Sequence, residues 1–213
     1  MSRRLPEHID ERLRLAGASA SPEEVAKLAA YLERLGVWNR RINLTAFKLD
    51  DPSDDAIDRL IVEPVLASRY IRPNDQTLLD LGSGGGSPAI PLKLMRPWVR
   101  LTMVESRARK AAFLREAVRT SGLMDVTVEN ERYEQLIDQT ELRGRLDLIC
   151  FRAVRADEEL WQVIRACLAP AGRILWFGAP AEALGLPSPF VELARQRLGA
   201  AEASWLVVAG RQA

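Results

Sequence analysis

The chain has 213 residues, of which 47% are hydrophobic and 28% are charged, and this composition excludes a largely disordered protein. Its 30 lysines and arginines nearly balance 29 aspartates and glutamates, which excludes a globally basic nucleic-acid binder but not a local basic face. His8 is the single histidine, so the composition argues against a Ser-His-Asp triad and against a histidine-rich zinc site. The length fits one α/β domain with a helical extension.

The cysteine content and the hydropathy pattern bear on the compartment. Cys150 and Cys167 form no CxxC pair and no disulfide framework. The N-terminal segment carries charges throughout, unlike a secretory leader, and no apolar run reaches the ~18 residues of a membrane span. We therefore expect a soluble cytoplasmic protein with no membrane partner and no metal site.

Residues 1 to about 70 are predicted to be helical. A short first helix is indicated by the periodic apolar residues Leu5, Ile9 and Leu13. Ser21-Pro22-Glu23-Glu24 is a capping box with proline at the first helical position, and the helix that it opens is expected to stop at Gly36. Another helix is predicted from Ser53, and Pro64 inside its apolar stripe should kink or split it.

Residues 77 to about 177 alternate between strand and helix patterns. Strands are predicted at 77–81, 99–104, 126–128, 146–151 and 173–177. Helices are predicted at 107–121, capped by Ser106, and at 131–138 and 157–168. Strands that are separated by helical crossovers imply a parallel sheet with both of its faces covered.

The end of the chain carries weaker signals. Pro187 and Pro189 precede a segment, Phe190 to Leu198, that is predicted to be a helix. A last strand is predicted from Ser204 to Val208. The order of the sheet after residue 179 is left open by these patterns.

A glycine-rich loop follows the first predicted strand. The segment reads Leu79-Asp80-Leu81-Gly82-Ser83-Gly84-Gly85-Gly86-Ser87-Pro88. Glycine tolerates positive φ and lets a ligand approach the backbone, and ligands of open α/β sheets bind at the carboxyl ends of the strands. Glu105 ends the second strand, where a carboxylate can accept both hydroxyls of a bound ribose. The pattern therefore predicts a nucleoside-binding site.

Asp80 discriminates between two nucleotide cofactors. With the following glycines it forms Asp-x-Gly-x-Gly-x-Gly, which resembles the S-adenosylmethionine loop of class I methyltransferases. A carboxylate there can orient the loop and face the cationic, amino-acid-bearing end of that cofactor. Gly84-x-Gly86-x-x-Ala89 also fits the dinucleotide pattern, but Pro88 would fall inside its phosphate-binding turn. The loop favours S-adenosylmethionine and leaves a nicotinamide- or flavin-dependent oxidoreductase as an alternative.

Four segments carry a more specific resemblance. They are Trp38-Asn39-Arg40-Arg41-Ile42-Asn43-Leu44-Thr45, the glycine-rich loop, Val104-Glu105-Ser106 with 109–115, and Phe151-Arg152-Ala153-Val154. In order and spacing, over about residues 20 to 178, the chain resembles the bacterial 16S ribosomal RNA guanine-N7 methyltransferases of the glucose-inhibited division protein B (RsmG) type. The resemblance implies a class I S-adenosylmethionine-dependent methyltransferase, with a Rossmann-like, doubly wound, mostly parallel sheet and an N-terminal helical extension.

The resemblance also implies a set of cofactor-binding residues. They are Asp80, Gly82, Ser83, Gly84, Gly86, Ser87, Glu105, Tyr133, Glu134 and Arg152. Tyr133 and Glu134 would flank the adenine, and Arg152, at the mouth of the pocket, is the candidate for a catalytic role. From the residues alone, Tyr133 and Glu134 also fit an exposed helix start, and Arg152 fits a solvated strand end. Methylation of guanine N7, which carries no proton, requires alignment and no general base.

Two departures from the family pattern keep a second alternative open. Ser87-Pro88-Ala89 lacks the bulky residue that the family places beside the cofactor, and Glu63-Pro64 replaces Asp-Ser in a motif whose histidine is also absent. A ribosome-binding protein with an eroded cofactor site therefore remains possible. The segment from Trp38 is expected to pack the extension over the pocket, with Trp38 as a core anchor and Asn43 as a candidate left-handed cap.

The implied partner is 16S rRNA, within the 30S subunit or an assembly intermediate, and the protein is expected to be a monomer. Candidates for phosphate contacts are Arg40, Arg41, Arg107, Arg109, Lys110 and Arg115. A solvated helix face is the alternative for each of them. We expect these cations to form one basic rim around the pocket. We also expect residues 1–70 to form an extension that packs on the core, and residues 71–213 to form the methyltransferase domain.

Overall fold

A computed structural model describes residues 5–178, 185–199 and 204–212, so the first four residues of the predicted extension lie outside it. The helices are α1 (Leu5–Leu15), α2 (Pro22–Asn39), α3 (Asp54–Ile57), α4 (Glu63–Ala67), α5 (Ala89–Met95), α6 (Ala108–Thr120) and α7 (Glu158–Cys167). The strands are β1 (Thr77–Leu81), β2 (Arg100–Val104), β3 (Val126–Glu129), β4 (Leu146–Arg152), β5 (Leu168–Phe177), β6 (Phe190–Arg197) and β7 (Trp205–Arg211). A π-helical turn spans Asp58–Val62, and 3-10 turns span Ser68–Tyr70 and Tyr133–Asp138.

The seven strands form one sheet in the order β3-β2-β1-β4-β5-β7-β6. The strands β1 to β5 pair in parallel, and β7 lies antiparallel between β5 and β6. The chain reverses its winding beside β1, since β2 and β4 lie on either side of it. This topological switch point is where an open α/β sheet binds its ligand. The predicted α/β class with a mostly parallel sheet is confirmed.

Both faces of the sheet are buried, as a parallel sheet requires. Leu78 belongs to the hydrophobic cluster that includes α1, α2, α5 and α6, whereas Leu79 and Leu81 belong to the cluster that includes α7. Alternate residues of one strand point to opposite faces, so a run of leucines supplies both cores. The same division places Cys150 in the first cluster and Phe151 in the second.

The prediction of a helix from Phe190 to Leu198 is wrong, because Phe190–Arg197 is the edge strand β6. The segment is rich in residues that favour helices, but pairing with the apolar strand β7 overrides this local preference. A register shift between Glu192 and Ala194 accompanies that pairing. The predicted last strand is confirmed, since β7 spans Trp205–Arg211.

Three helix boundaries bear on the predicted caps and breaks. The capping box at Ser21 forms as predicted. The helix α2 does not stop at Gly36, as predicted, but continues to Asn39. Gly36 instead makes room for Leu49, because a Cβ at position 36 would lie 3.1 Å from the Cβ of Leu49. Ser106 does not cap α6, because Arg107 occupies the N-cap position without a side-chain bond. Pro64 lies in the first turn of α4, directly after the π-helical turn, and the predicted split is not seen, because the backbone stays helical from Asp54 to Ala67.

Candidate active site

The glycine-rich loop leaves β1 at the carboxyl edge of the sheet. The backbone N–H groups of Gly82 and Ser83 both donate to the carbonyl of Val104, at 3.0 Å, which ties the loop to the end of β2. Gly82 has a φ of +71°, and a Cβ there would lie 2.7 Å from Cγ2 of Val154. Glycine is therefore required at this position both by conformation and by space. Gly86 instead faces α5, where a Cβ would lie 2.6 Å from Cδ1 of Ile90.

Glu105, directly after β2, holds the loop through its carboxylate. Its Oε2 accepts a hydrogen bond from the N–H of Gly84 at 2.9 Å, and its Oε1 accepts one from the N–H of Arg107 at 2.8 Å. The side chain is buried, yet it lines two cavities. A carboxylate oxygen accepts more than one hydrogen bond, so both oxygens retain acceptor capacity toward a ligand.

The larger cavity, of about 320 Å³, lies between the loop and the segment that follows α2. It is lined by Leu35, Leu44, Thr45, Phe47, Arg59, Leu60, Gly82, Ser83, Gly84, Gly85, Ser87, Glu105, Lys110, Arg152 and Ala153. Apolar side chains cover it on one side, and backbone groups and charges face it on the other. This is the arrangement of a small-ligand site that fixes orientation with few polar groups.

The smaller cavity, of about 240 Å³, shares Gly82 and Glu105 with the larger one. It is lined by Gly82, Val104, Glu105, Ser106, Glu131, Arg132, Tyr133 and Glu134. Because Gly82 and Glu105 line both cavities, one elongated ligand can cross from one to the other. The predicted pair Tyr133 and Glu134 is thus placed at the same site as the glycine-rich loop.

Asp80 is buried beneath the loop, with only 1% of its surface exposed. Its Oδ1 accepts a hydrogen bond from Sγ of Cys150 at 3.1 Å, whereas its Oδ2 is buried and has no partner among the described residues. Burial raises the pKa of Asp80 to about 6. Asp80 does not line either cavity, so it faces the loop from below.

Asp80→Asn is expected to stabilise the protein in a pH-dependent way. The pKa of Asp80 rises from an ordinary value of 3.8 to about 6, so the folded chain binds this proton more tightly than the unfolded chain. The contribution of Asp80 to the free energy of unfolding therefore decreases as pH rises from about 4 through 6. We expect a gain of about 1–3 kcal/mol at pH 8 that shrinks toward pH 5. Urea unfolding at both pH values measures it, and a gain that is independent of pH would contradict this assignment.

Arg152 ends β4 and lines the larger cavity as part of a buried ionic network. Its Nη2 donates to Oε2 of Glu63 at 2.9 Å, Nη1 donates to the carbonyl of Arg59, and the guanidinium stacks 4.8 Å from the ring centroid of Phe177. Burial lowers the pKa of Arg152 to about 10, which leaves it charged near neutral pH. The reading of Arg152 as a solvated strand end is wrong.

Glu63 is the centre of this network, and sequence reasoning did not assign it a role. It is 1% exposed and also accepts hydrogen bonds from Nη1 of Arg59, at 3.0 Å, and from Oγ of Ser204, at 2.7 Å. In the sequence, Glu63 is an acidic residue within the apolar stripe of a predicted helix. This position could have indicated its role, because a buried carboxylate requires partners. Ser87 joins the same region by donating to the carbonyl of Leu60 at 2.8 Å.

The segment from Trp38 is organised by Asn39. Its Oδ1 accepts hydrogen bonds from the N–H groups of Leu44 and Thr45, at 2.9 and 3.0 Å, and its Nδ2 donates to the carbonyl of Phe47 at 3.1 Å. Leu44, Thr45 and Phe47 are thereby held against the larger cavity, as the predicted packing of this segment over the pocket requires. Asn43 is not a left-handed cap, since it is not among the described residues with positive φ.

Tyr31 is a second residue that sequence reasoning missed. It lies fully buried on α2 among leucines, and its hydroxyl donates to the carbonyl of Gly85 at 2.7 Å. A tyrosine at a core position needs a partner for its hydroxyl, and this was the available signal. The bond connects the N-terminal helices directly to the glycine-rich loop.

The six basic candidates differ in their surroundings. Lys110 lines the larger cavity, whereas Arg41 and Arg109 line an adjacent apolar cavity between α2 and α6. Arg40 pairs with Asp50, and Arg115 donates through Nη2 to the carbonyl of Val128 at 3.0 Å. Arg107 is exposed at the start of α6. The structure therefore places Arg41, Arg109 and Lys110 near one another and orients Arg40 and Arg115 toward local partners.

Comparison with known proteins decides the family. Residues 24–182 match the family model of GidB, rRNA small subunit methyltransferase G. The chain belongs to this family. The match spans all four segments on which the resemblance rested, so the predicted membership in the GidB family is confirmed.

A relative agrees with the GidB assignment, and two solved structures show a similar fold. A ribosomal RNA small subunit methyltransferase G from Sorangium cellulosum is 34% identical over 97% of this chain and 79% of its own length. A putative O-methyltransferase from Klebsiella pneumoniae shares the fold, with a TM-score of 0.60 and 17% identity over 96% of each chain. The match to the structure of P. horikoshii TYW2 in complex with MeSAdo covers 69% of this chain and 60% of that chain, with a TM-score of 0.52 and 16% identity.

Membrane-spanning helices and metal clusters are both absent from the part of this GidB-family chain that the structure describes. None of the helices there is long and apolar enough to cross a membrane. No group of three or more His, Cys, Asp and Glu side chains in the described ranges is placed to hold a metal ion.

Proposed function

We propose that this chain transfers the methyl group of S-adenosylmethionine to N7 of one guanine in 16S rRNA, presented in the 30S subunit or an assembly intermediate. The observation that carries the proposal is the pair of cavities that meet at Gly82 and Glu105, at the switch point of the sheet. Membership in the GidB family supports the substrate class.

The residues around the two cavities fit S-adenosylmethionine. Glu105 retains acceptor capacity on both oxygens for ribose hydroxyls, and the smaller cavity beside Tyr133 and Glu134 suits the adenine. The larger cavity, with the backbone of Gly84, suits the amino-acid end. The unpartnered Oδ2 of Asp80 adds negative potential beneath the cationic centre that this end carries. Of the predicted set, Asp80 and Gly86 would act by shaping the loop, since neither lines a cavity.

The chemistry asks the protein mainly for alignment. When bound, S-adenosylmethionine supplies an electrophilic methyl group on a sulfonium. Guanine N7 carries a lone pair and no proton, so no side chain has to act as a base. Holding two reactants in line accounts for about 7–11 kcal/mol of barrier reduction. Leu44 and Phe47 line the larger cavity and would exclude water from it. The target guanine would have to leave its stack in the RNA to reach this cavity.

Arg152 is the candidate for direct contact with the reacting groups. Its guanidinium faces the larger cavity and is fixed from behind by Glu63 and Phe177. In that position it can donate hydrogen bonds to the guanine or to the carboxylate of the cofactor, and a fixed cation loses little entropy on doing so. Charge neutralisation by Glu63 limits its repulsion of a cationic ligand.

Calorimetric titration separates this proposal from the two alternatives. We expect binding of S-adenosylmethionine and of its demethylated product, and no binding of NADH or a flavin dinucleotide. Binding of a dinucleotide alone would favour an oxidoreductase. Failure to bind either class would favour a methyltransferase-fold protein whose site is eroded at Ser87 and Ala89. The family match does not favour either alternative.

Charge reversal at the basic rim is expected to weaken binding of the ribosomal substrate. The double substitution Arg109→Glu and Lys110→Glu changes two cations beside the larger cavity. Each lost phosphate contact reduces the slope of log affinity against log salt by about 0.7–0.9. Binding to undermethylated 30S subunits at several salt concentrations measures both effects. Arg14→Glu, on the exposed α1, is the control; equal losses in both variants would contradict a local rim.

The organisation of the chain follows from the same contacts. We infer that residues 1–70 are an extension of the methyltransferase domain, which covers residues 71–213. Tyr31 on α2 donates a hydrogen bond to the glycine-rich loop, and α2 belongs to the same hydrophobic cluster as α5 and α6. A monomer that acts in the cytoplasm, where small ribosomal subunits are assembled, is the simplest form of this proposal.

A further inference from the structure

A third cavity lies beside the two cavities of the proposed active site, between the end of α2 and the start of α6. It measures about 390 Å³ and is lined by Val37, Trp38, Arg41, Ile42, Arg109 and Ala112. Its walls are mainly apolar, and Val37 is 42% exposed although it is a large hydrophobic residue. Lys110, the neighbour of Arg109 along α6, lines the larger cavity of the active site, so the two cavities are adjacent.

The floor of this cavity is a fixed aromatic ring. Nε1 of Trp38 donates to Oε1 of Glu116 at 3.1 Å, and its ring packs on Phe113 with centroids 5.8 Å apart. Neither contact is part of the active site described above. Both hold the indole in one orientation, which makes it a preformed surface for a flat ligand.

The rim of the cavity is positively charged. The side chains of Arg41 and Arg109 make no hydrogen bond or ion pair with another described residue, unlike Arg40, which pairs with Asp50. An apolar floor with two unpaired guanidinium groups at its rim is complementary to a nucleotide, which has a flat base and an anionic phosphate. The volume falls within the range of small-molecule pockets and suits one base better than a protein helix.

We propose that this cavity binds one unstacked base of the substrate RNA, near the target guanine, with Arg41 and Arg109 on the flanking phosphates. The inference rests on the proposed function and deepens it, since it names a second point at which the RNA is held. A protein bound only at the target base would have to pull that base from its stack unaided. A second docked base holds the RNA strand at two points, at the reaction centre and beside it.

Filling the cavity tests the proposal. Ala112→Phe and Val37→Phe each place a ring in the space from an exposed helical position, so that loss of folding in one variant leaves the other. We expect KM for undermethylated 30S subunits to rise about tenfold in either variant, because stacking of one base contributes a factor of this order. Affinity for S-adenosylmethionine and kcat should stay within about twofold of the parent protein. The control is Met124→Phe, at a residue that is 75% exposed on another face.

Ultraviolet crosslinking to the same subunits identifies the occupant. We expect RNA adducts on peptides that contain residues 37–42 or 109–112, and their loss in Ala112→Phe. An unchanged KM in both filled variants would overturn the proposal, as would crosslinks from these peptides to a ribosomal protein. Methylation of guanine N7 by the parent protein is read in the same reactions, so failure of the proposed function is recognised separately.

Discussion

Glu105→Ala is expected to lower the affinity for S-adenosylmethionine by about 100-fold or more. The carboxylate is the one side chain that lines both cavities and also accepts the backbone N–H groups of Gly84 and Arg107. If the carboxylate accepts both ribose hydroxyls, as proposed, its removal deletes two charge-assisted hydrogen bonds, each of about 1.5–3 kcal/mol. It also leaves the N–H groups of Gly84, in the loop, and of Arg107, at the start of α6, without their acceptor. Isothermal titration calorimetry measures the loss.

Two further variants make the Glu105 prediction specific. Glu105→Gln keeps one acceptor oxygen but turns an amide N–H₂ toward one of the backbone donors, so an intermediate loss is expected. Glu129→Ala, at the end of the adjacent strand β3, removes a carboxylate that lines neither cavity and should leave the affinity unchanged. Retained affinity in Glu105→Ala would show that the cofactor binds elsewhere.

Glu63→Gln is expected to destabilise the fold by about 3–5 kcal/mol. The substitution leaves the buried guanidinium of Arg152 without its carboxylate partner, and an uncompensated buried charge is among the most costly single defects. The hydrogen bonds from Arg59 and Ser204 are weakened as well. Urea unfolding, followed by far-ultraviolet circular dichroism, measures the change in free energy.

The source of that instability can be isolated with a second substitution. Combining Glu63→Gln with Arg152→Met removes the unpaired charge, so the double variant should lose less stability than the sum of the two single losses. Glu192→Gln breaks an exposed ion pair with Arg195 and should cost less than about 1 kcal/mol. A loss in Glu63→Gln no larger than in this control would contradict the role of Glu63 as a buried counter-ion.

The sequence predicted the site where its determinants are local. Gly82 and Glu105 lie directly after adjacent strands, and a strand, a glycine turn and an acid after the next strand define a nucleoside site without long-range information. The capping box of α2 was predicted for the same reason. The family resemblance implied Tyr133 and Glu134, which no local pattern distinguishes from an exposed helix start.

The remaining features depend on contacts between distant parts of the chain. Glu63 becomes a buried counter-ion because β4 delivers Arg152 to it, and Tyr31 becomes a loop support because α2 packs on the glycine turn. The segment Phe190–Arg197 favours a helix locally and becomes a strand because β7 provides an apolar edge. Gly36 similarly marks a close approach of Leu49 and not the end of its helix.

Methyl transfer to undermethylated 30S subunits tests the central claim most directly. The protein and S-adenosylmethionine are incubated with subunits from cells that lack this modification, and the 16S rRNA is digested and analysed by mass spectrometry. Glu105→Ala serves as the control with weakened cofactor binding. The account predicts N7-methylguanosine at one position with the parent protein and far less with the variant at the same low cofactor concentration. Folded protein that binds the cofactor yet forms no N7-methylguanosine, or methylates another atom, would contradict it.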